Sequence, residues 1–130
     1  MLEITNLTPS KIDNKFLIKA ADVASAVLNL DEEISLVFVC DARMKTINKK
    51  YRGKNATTDV LSFEDLNEIY ICLPQAKRQA KLLKTSEKAE LTRLLVHGIV
   101  HLKGHDHEKS AKEAEKMRQI EEGILKNLER

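Results

Sequence analysis

The sequence predicts an α+β fold (α/β-like): a small mixed sheet of four strands with about five helices packed on it. Three observations carry this. Four short runs are apolar, β-branched or alternating; five longer stretches place apolar residues at helical spacing; and the chain opens strand–helix–strand, the order of a parallel crossover.

The elements follow in order. Leu2-Glu3-Ile4-Thr5-Asn6 alternates apolar and polar, and Thr8-Pro9-Ser10 breaks it. From about Asn14 to Leu28, Leu17, Ala20, Ala21, Ala24, Val27 and Leu28 form a helical stripe. Ile34 to Cys40 is almost wholly apolar, as expected of a strand covered on both faces. Asp41 is placed to cap a helix carrying Met44, Ile47 and Tyr51. The polar loop 52–58 leads to two short strands, Asp59–Phe63 and Glu68–Leu73. Pro74 suits the first position of a helix running to about Leu83, and Ser86 followed by Glu87 opens another. A last helix from about Lys109 to Leu128 aligns Ala114, Met117, Ile120, Ile124 and Leu128.

A length of 130 residues indicates one domain, 1–130, with enough chain for a core. The longest apolar run, near Leu36–Cys40, is too short to span a bilayer, and Met1-Leu2-Glu3-Ile4 lacks the regions of a signal peptide. A cytoplasmic location is expected, with Cys40 and Cys72 as two buried thiols. Aromatic residues are only 4%, without Trp, which argues against a base-stacking platform. Charge is unevenly placed. Residues 43–88 hold eleven Lys or Arg against five acids, and Arg43 to Lys54 carries six basic residues and no acid. Gln75 to Lys84 adds four more, among them Lys77, Arg78 and Lys81. Such runs commonly form solvated helix faces; two of them in one small domain suit a polyanion such as RNA.

All four histidines fall between His97 and His107. His97 and His101, four apart on a helix, share a face. Gly104 suits a chain reversal that brings His107 toward the same ion. Three imidazoles with an open fourth position make a catalytic zinc site, one ion per chain. The spacing His-x-x-x-His-x-x-Gly-x-x-His is also the ligand spacing of metzincin proteases, but their general base after the first histidine is replaced by Gly98. Peptide hydrolysis by that mechanism is therefore disfavoured.

Several stretches together resemble the bacterial YbeY family: Tyr51-Arg52-Gly53-Lys54, Thr58 to Phe63, Leu73 to Ala80, and Leu95 to Glu108 with its histidines. The resemblance covers most of residues 34–125. It implies a small mixed sheet with a zinc-protease-like metal helix, and a metal-dependent, single-strand-specific endoribonuclease. The activity implied is ribosomal RNA processing, including 16S rRNA 3′-end maturation, and ribosome quality control. It implies zinc on His97, His101 and His107, a functional Arg52 at the mouth of a basic groove, and ribosomal RNA and the small ribosomal subunit as partners, with neither DNA nor a membrane. The basic residues then read as RNA contacts are Arg52, Lys54, Lys77, Arg78 and Lys81. His105 stands where the family usually has tyrosine, and is expected to be exposed rather than ligating. Asn67-Glu68-Ile69 replaces a Gly-Asp-Ile strand start, Glu64 replaces a common proline, and the loop between Phe63 and that strand is very short.

On chemistry, Arg52 offers a planar fork suited to phosphate. Asp106 and Glu108 are candidates for orienting His107 or for moving a proton. Two alternatives stay open: a metalloprotease-like hydrolase, and a non-catalytic ribosome-assembly factor with a structural metal that His105 would complete.

Overall fold

A computed structural model describes residues 1–104 and 110–129. Its elements in chain order are β1 (Leu2–Asn6), α1 (Lys15–Leu28), β2 (Ile34–Val39), α2 (Asp41–Arg52), β3 (Val60–Phe63), β4 (Glu68–Cys72), α3 (Leu73–Leu82), α4 (Glu87–Leu102) and α5 (Ala111–Leu128), with a single 3₁₀ turn at Glu64–Leu66 between β3 and β4. The strands lie in the order β1-β2-β4-β3. β1 and β4 both run parallel to β2, and β3 closes one edge antiparallel to β4. The sheet is mixed, as the strand–helix–strand opening and the later strand pair predict.

β2 is covered on both faces because alternate residues point to opposite sides. Ile34, Leu36 and Phe38 enter a large cluster with residues of α1, α3, α4 and α5, whereas Val37 and Val39 enter a smaller one with Met44 of α2. Four helices therefore contribute to one side of the sheet and one helix covers part of the other. α4 is central to the thick side, with Leu91, Leu94, Leu95, Val96, Ile99 and Val100 all buried.

Local signals explain most of the boundaries. The Ser86 hydroxyl accepts from the Ala89 N–H and starts α4, and Ser110 does the same for α5 through Glu113. Pro74 sits in the first turn of α3, where its missing donor costs little. Gly53, at φ +70°, ends α2 immediately after Arg52.

Four expectations shift. Asp41 does not cap α2: Cys40 holds that position without a side-chain hydrogen bond, and the Asp41 carboxylate is taken by Arg78. Val27 is 50% exposed, since the α1 stripe needs only Leu17, Ala20, Ala21, Ala24 and Leu28. Cys40 is half-buried and only Cys72 is fully buried. Tyr51 leaves the α2 core stripe and stands 58% exposed.

Candidate metal centre

The histidines of α4 are positioned by the way this helix meets the sheet. Gly98 is buried against β3 and β4. A Cβ there would lie 3.0 Å from Ile69 Cγ2, 3.1 Å from Ile69 Cδ1 and 3.2 Å from Ser62 Oγ. The missing side chain lets helix and sheet approach closely, and the Ser62 hydroxyl donates to the Gly98 carbonyl at 3.2 Å. Position 98 thus faces packed strands, which gives a structural reason for glycine where a protease carries its glutamate.

The residue before that contact, His97, faces α5, and His101 follows one helical turn later. His97 and His101 have ring centroids 4.8 Å apart, inclined at 69°. His97 Nδ1 donates to Glu121 Oε1 at 2.5 Å, with the two side chains 25% and 17% exposed. A carboxylate on Nδ1 fixes the tautomer that leaves Nε2 with its lone pair, the arrangement that supports metal-ligating histidines. The donor set present suits zinc: two imidazoles on one helix face, one of them backed by a carboxylate. Among the described residues no group of three His, Cys, Asp or Glu side chains forms a metal site. His107, the third expected ligand, lies outside the described residues, as do His105, Asp106 and Glu108.

Glu121 was not among the candidate residues. Its signal was nevertheless in the chain: it falls four residues after Met117 and three before Ile124, both buried, so an acid stands on the core-facing side of α5.

Arg52 arrives from the opposite side of the sheet. It is the last residue of α2, and its Nη2 donates to the Ser62 carbonyl on the edge strand β3 at 3.1 Å. Ser62 therefore links Arg52 through its backbone to Gly98 through its side chain. The loop that follows is tied back by buried Asn48, whose amide donates to the Ala56 carbonyl at 2.8 Å. Asp59 organises the start of β3: its carboxylate accepts from the Val60 N–H at 2.8 Å and from Gln79 Nε2 at 3.3 Å.

The other basic candidates are spread out. Lys54 and Lys81 are exposed. Lys77 Nζ donates to Ser10 Oγ at 3.2 Å. Arg78 forms a two-pronged pair with Asp41, at 2.7 and 3.0 Å, and holds the Asp41 carboxyl below its ordinary range. Deeper in, Glu90 is 1% exposed and accepts from Arg93 Nε at 2.9 Å, from Arg93 Nη2 at 2.6 Å and from Gln79 at 2.7 Å. Burial pushes its carboxyl upward, but these hydrogen bonds and the Arg93 charge outweigh burial and leave it lowered.

The class that the fold and these side chains define is an α+β protein in which a histidine pair backed by a carboxylate lies on a packed helix, and an arginine at the end of α2 bonds the strand that this helix packs against. The family description Endoribonuclease YbeY matches residues 3–129, and the chain belongs to that family. Among its relatives, the Endoribonuclease YbeY of Persephonella marina is 40% identical over 129 residues, covering 90% of this chain and 84% of that protein. The Aquifex aeolicus protein of the same name is 37% identical, covering 96% and 90%. The fold matches the solution structure of TM1509 from Thermotoga maritima with a TM-score of 0.70 and 26% identity, over 98% of this chain and 89% of that one.

Proposed function

We propose that this chain acts as a single domain and is a zinc-dependent, single-strand-specific endoribonuclease. The observation that carries the reading is the link Arg52–Ser62–Gly98, which ties a guanidinium of the kind suited to phosphate to the helix bearing His97 and His101. Zinc would be held by His97, His101 and His107, one ion per chain; when bound it supplies a Lewis acid and lowers the pKa of a coordinated water toward ~7. Glu121 keeps the His97 ring in the tautomer that offers Nε2. Arg52 spends one hydrogen on Ser62, which aims the rest of its fork, and that fork stabilises charge growing on the phosphoryl oxygens. Asp106 and Glu108 remain the candidate proton carriers beside His107.

The proposed substrate is ribosomal RNA, with roles in 16S rRNA 3′-end maturation and ribosome quality control on the small ribosomal subunit in the cytoplasm. Family membership and the basic stretch of α2 support this. Among the described residues no helix is long and apolar enough to cross a membrane. The packing at Gly98 speaks against a protease, because the position of that enzyme's base is filled by Ile69 and Ser62.

The test incubates metal-loaded and chelated protein with a labelled single-stranded ribosomal RNA and with casein. Cleavage of the RNA alone, and only with metal, is expected. Arg52→Ala should lower single-turnover cleavage by about 10²–10³, far more than RNA binding. His101→Ala should lose most of its zinc by elemental analysis. RNA binding without metal-dependent cleavage by the wild-type protein would establish the assembly-factor reading instead, and casein cleavage the protease.

A further inference from the structure

The thin side of the sheet carries a groove beside α2 that the metal centre does not use. It has a volume of about 450 Å³, within the range of small-ligand sites. Arg43, Lys50, Tyr51, Phe63, Glu68 and Tyr70 are among the residues that line it. Composition argues against a base-stacking platform, but the fold gathers three of the chain's five aromatic residues here, edge to face in a row. The Tyr51 and Phe63 centroids are 5.2 Å apart, and those of Phe63 and Tyr70 are 5.7 Å apart. Cations lie over the rings: Lys50 Nζ is 5.3 Å from the Tyr51 centroid and the Arg52 guanidinium is 5.9 Å from that of Phe63.

Burial and charge both call for an occupant. Tyr51 is 58% exposed, and Leu7 and Leu66 on the groove walls are 50% and 66% exposed, an apolar surface that the fold leaves in water. Along α2 and its end, Arg43, Lys45, Lys49, Lys50, Arg52 and Lys54 run without an acid among them. A surface of aromatic rings flanked by lysines and arginines is complementary to unpaired nucleotides, whose bases stack and whose phosphates pair with the cations. Glu68 is the single acid on the groove wall among the described residues. It accepts from the Tyr70 hydroxyl at 3.4 Å and can accept from an exocyclic amine on a base edge.

Arg52 connects the groove to the metal helix. Its guanidinium lies over the ring of Phe63, a groove residue, and donates to Ser62, whose own hydroxyl reaches Gly98. We propose that this groove is a base-stacking subsite: a nucleobase of single-stranded RNA stacks on Tyr51 in the aromatic row, while its backbone follows the α2 cations across the β3 edge toward Arg52. This rests on the endoribonuclease reading above and names where the strand lies away from the cleaved bond.

The experiment uses full-length protein with metal removed by chelation, so that nothing is cut. Binding of a fluorescein-labelled oligoadenylate is compared with that of an abasic ribose-phosphate strand of equal length, at fixed salt. Wild-type protein should bind the oligoadenylate about tenfold or more tighter, the scale of one stacked base. Tyr51→Leu should erase that preference and Tyr51→Phe should keep it; both preserve an exposed position of α2, and circular dichroism checks the fold. Lys50→Gln should weaken both strands alike. No preference in the wild-type protein, a preference that survives Tyr51→Leu, or no binding at all overturns the subsite. Cleavage by the metal-loaded wild-type protein is measured in parallel. Base preference without cleavage overturns the enzyme reading and leaves the groove standing, while cleavage without base preference does the reverse.

Discussion

The two faces of the sheet differ in how much they bury and in what they leave in water. On the thick face α1, α3, α4 and α5 join Ile34, Leu36, Phe38, Ile69 and Ile71 in a single cluster. On the thin face one helix meets Val37, Val39, Leu61 and Cys72, and the remaining surface is an aromatic and basic groove. The helix bearing His97 and His101 is packed into the thick side, where buried neighbours on α1, α5 and the sheet fix its position. Arg52 comes from the thin side, at the end of the one helix there, and the side chains around it stay open to solvent. Rigid placement suits a metal ligand and an open, charged surface suits a strand that must enter and leave.

Three measurements break or sharpen this contrast. The largest effect is in the core. Leu95→Ala on the thick face should cost roughly 2–5 kcal/mol, because a buried leucine amid helices leaves a cavity that cannot collapse. Ile47→Ala, half-buried on the thin face, should cost about 1 kcal/mol, since its site is already open to solvent. Urea denaturation of both variants checks it; equal losses would mean that the faces contribute alike.

Next comes the acid dependence of the thick side. The folded-state pKa of Glu90 is lowered, so the folded chain binds this proton more weakly than the unfolded chain does. Its contribution is therefore full above the unfolded value of about 4.3 and is lost as pH falls through the lower folded value. Stability measured from pH 6 to 3 should drop less steeply in Glu90→Gln than in the wild-type protein. An unchanged slope would show that the pair with Arg93 does not govern this loss.

The smallest effect separates the two cysteines. Burial pushes the Cys72 thiol up to about 11, assisted by the Asp41 carboxylate. Cys72 should react with iodoacetamide far more slowly than half-buried Cys40 at pH 8, read by mass spectrometry of the labelled peptides. The folded pKa lies above the unfolded one, so the neutral Cys72 contributes fully below about 8.5 and its contribution falls as pH rises toward 11. Equal labelling of the two residues would place Cys72 in a more open environment than its burial indicates.

Much of the architecture was legible because periodicity and caps are local. The alternation of Leu2 to Asn6, the dense apolar run of β2, the Ser86 cap and the stripes of α1 and α5 each follow from neighbours within a few positions. The histidine pair was legible for the same reason, being four residues apart on one helix. Asp41 was misread as a cap because its partner, Arg78, is 37 positions away. Glu121 escaped notice because its partner, His97, is 24 positions away on another helix.

The sequence by itself determined the element types, the mixed sheet, the shared face of His97 and His101, the basic α2 and the resemblance to the YbeY family. Only the tertiary structure decided that Gly98 is pressed against Ile69, that Glu121 backs His97, and that Ser62 joins Arg52 to the histidine helix. It also decided that Tyr51, Phe63 and Tyr70, spread over twenty residues of a chain poor in aromatics, form one row beside the basic helix. Spacing along the chain sets which residues share a face of one element. Which faces meet depends on how the sheet and helices bury their apolar area together, and that is a property of the whole fold.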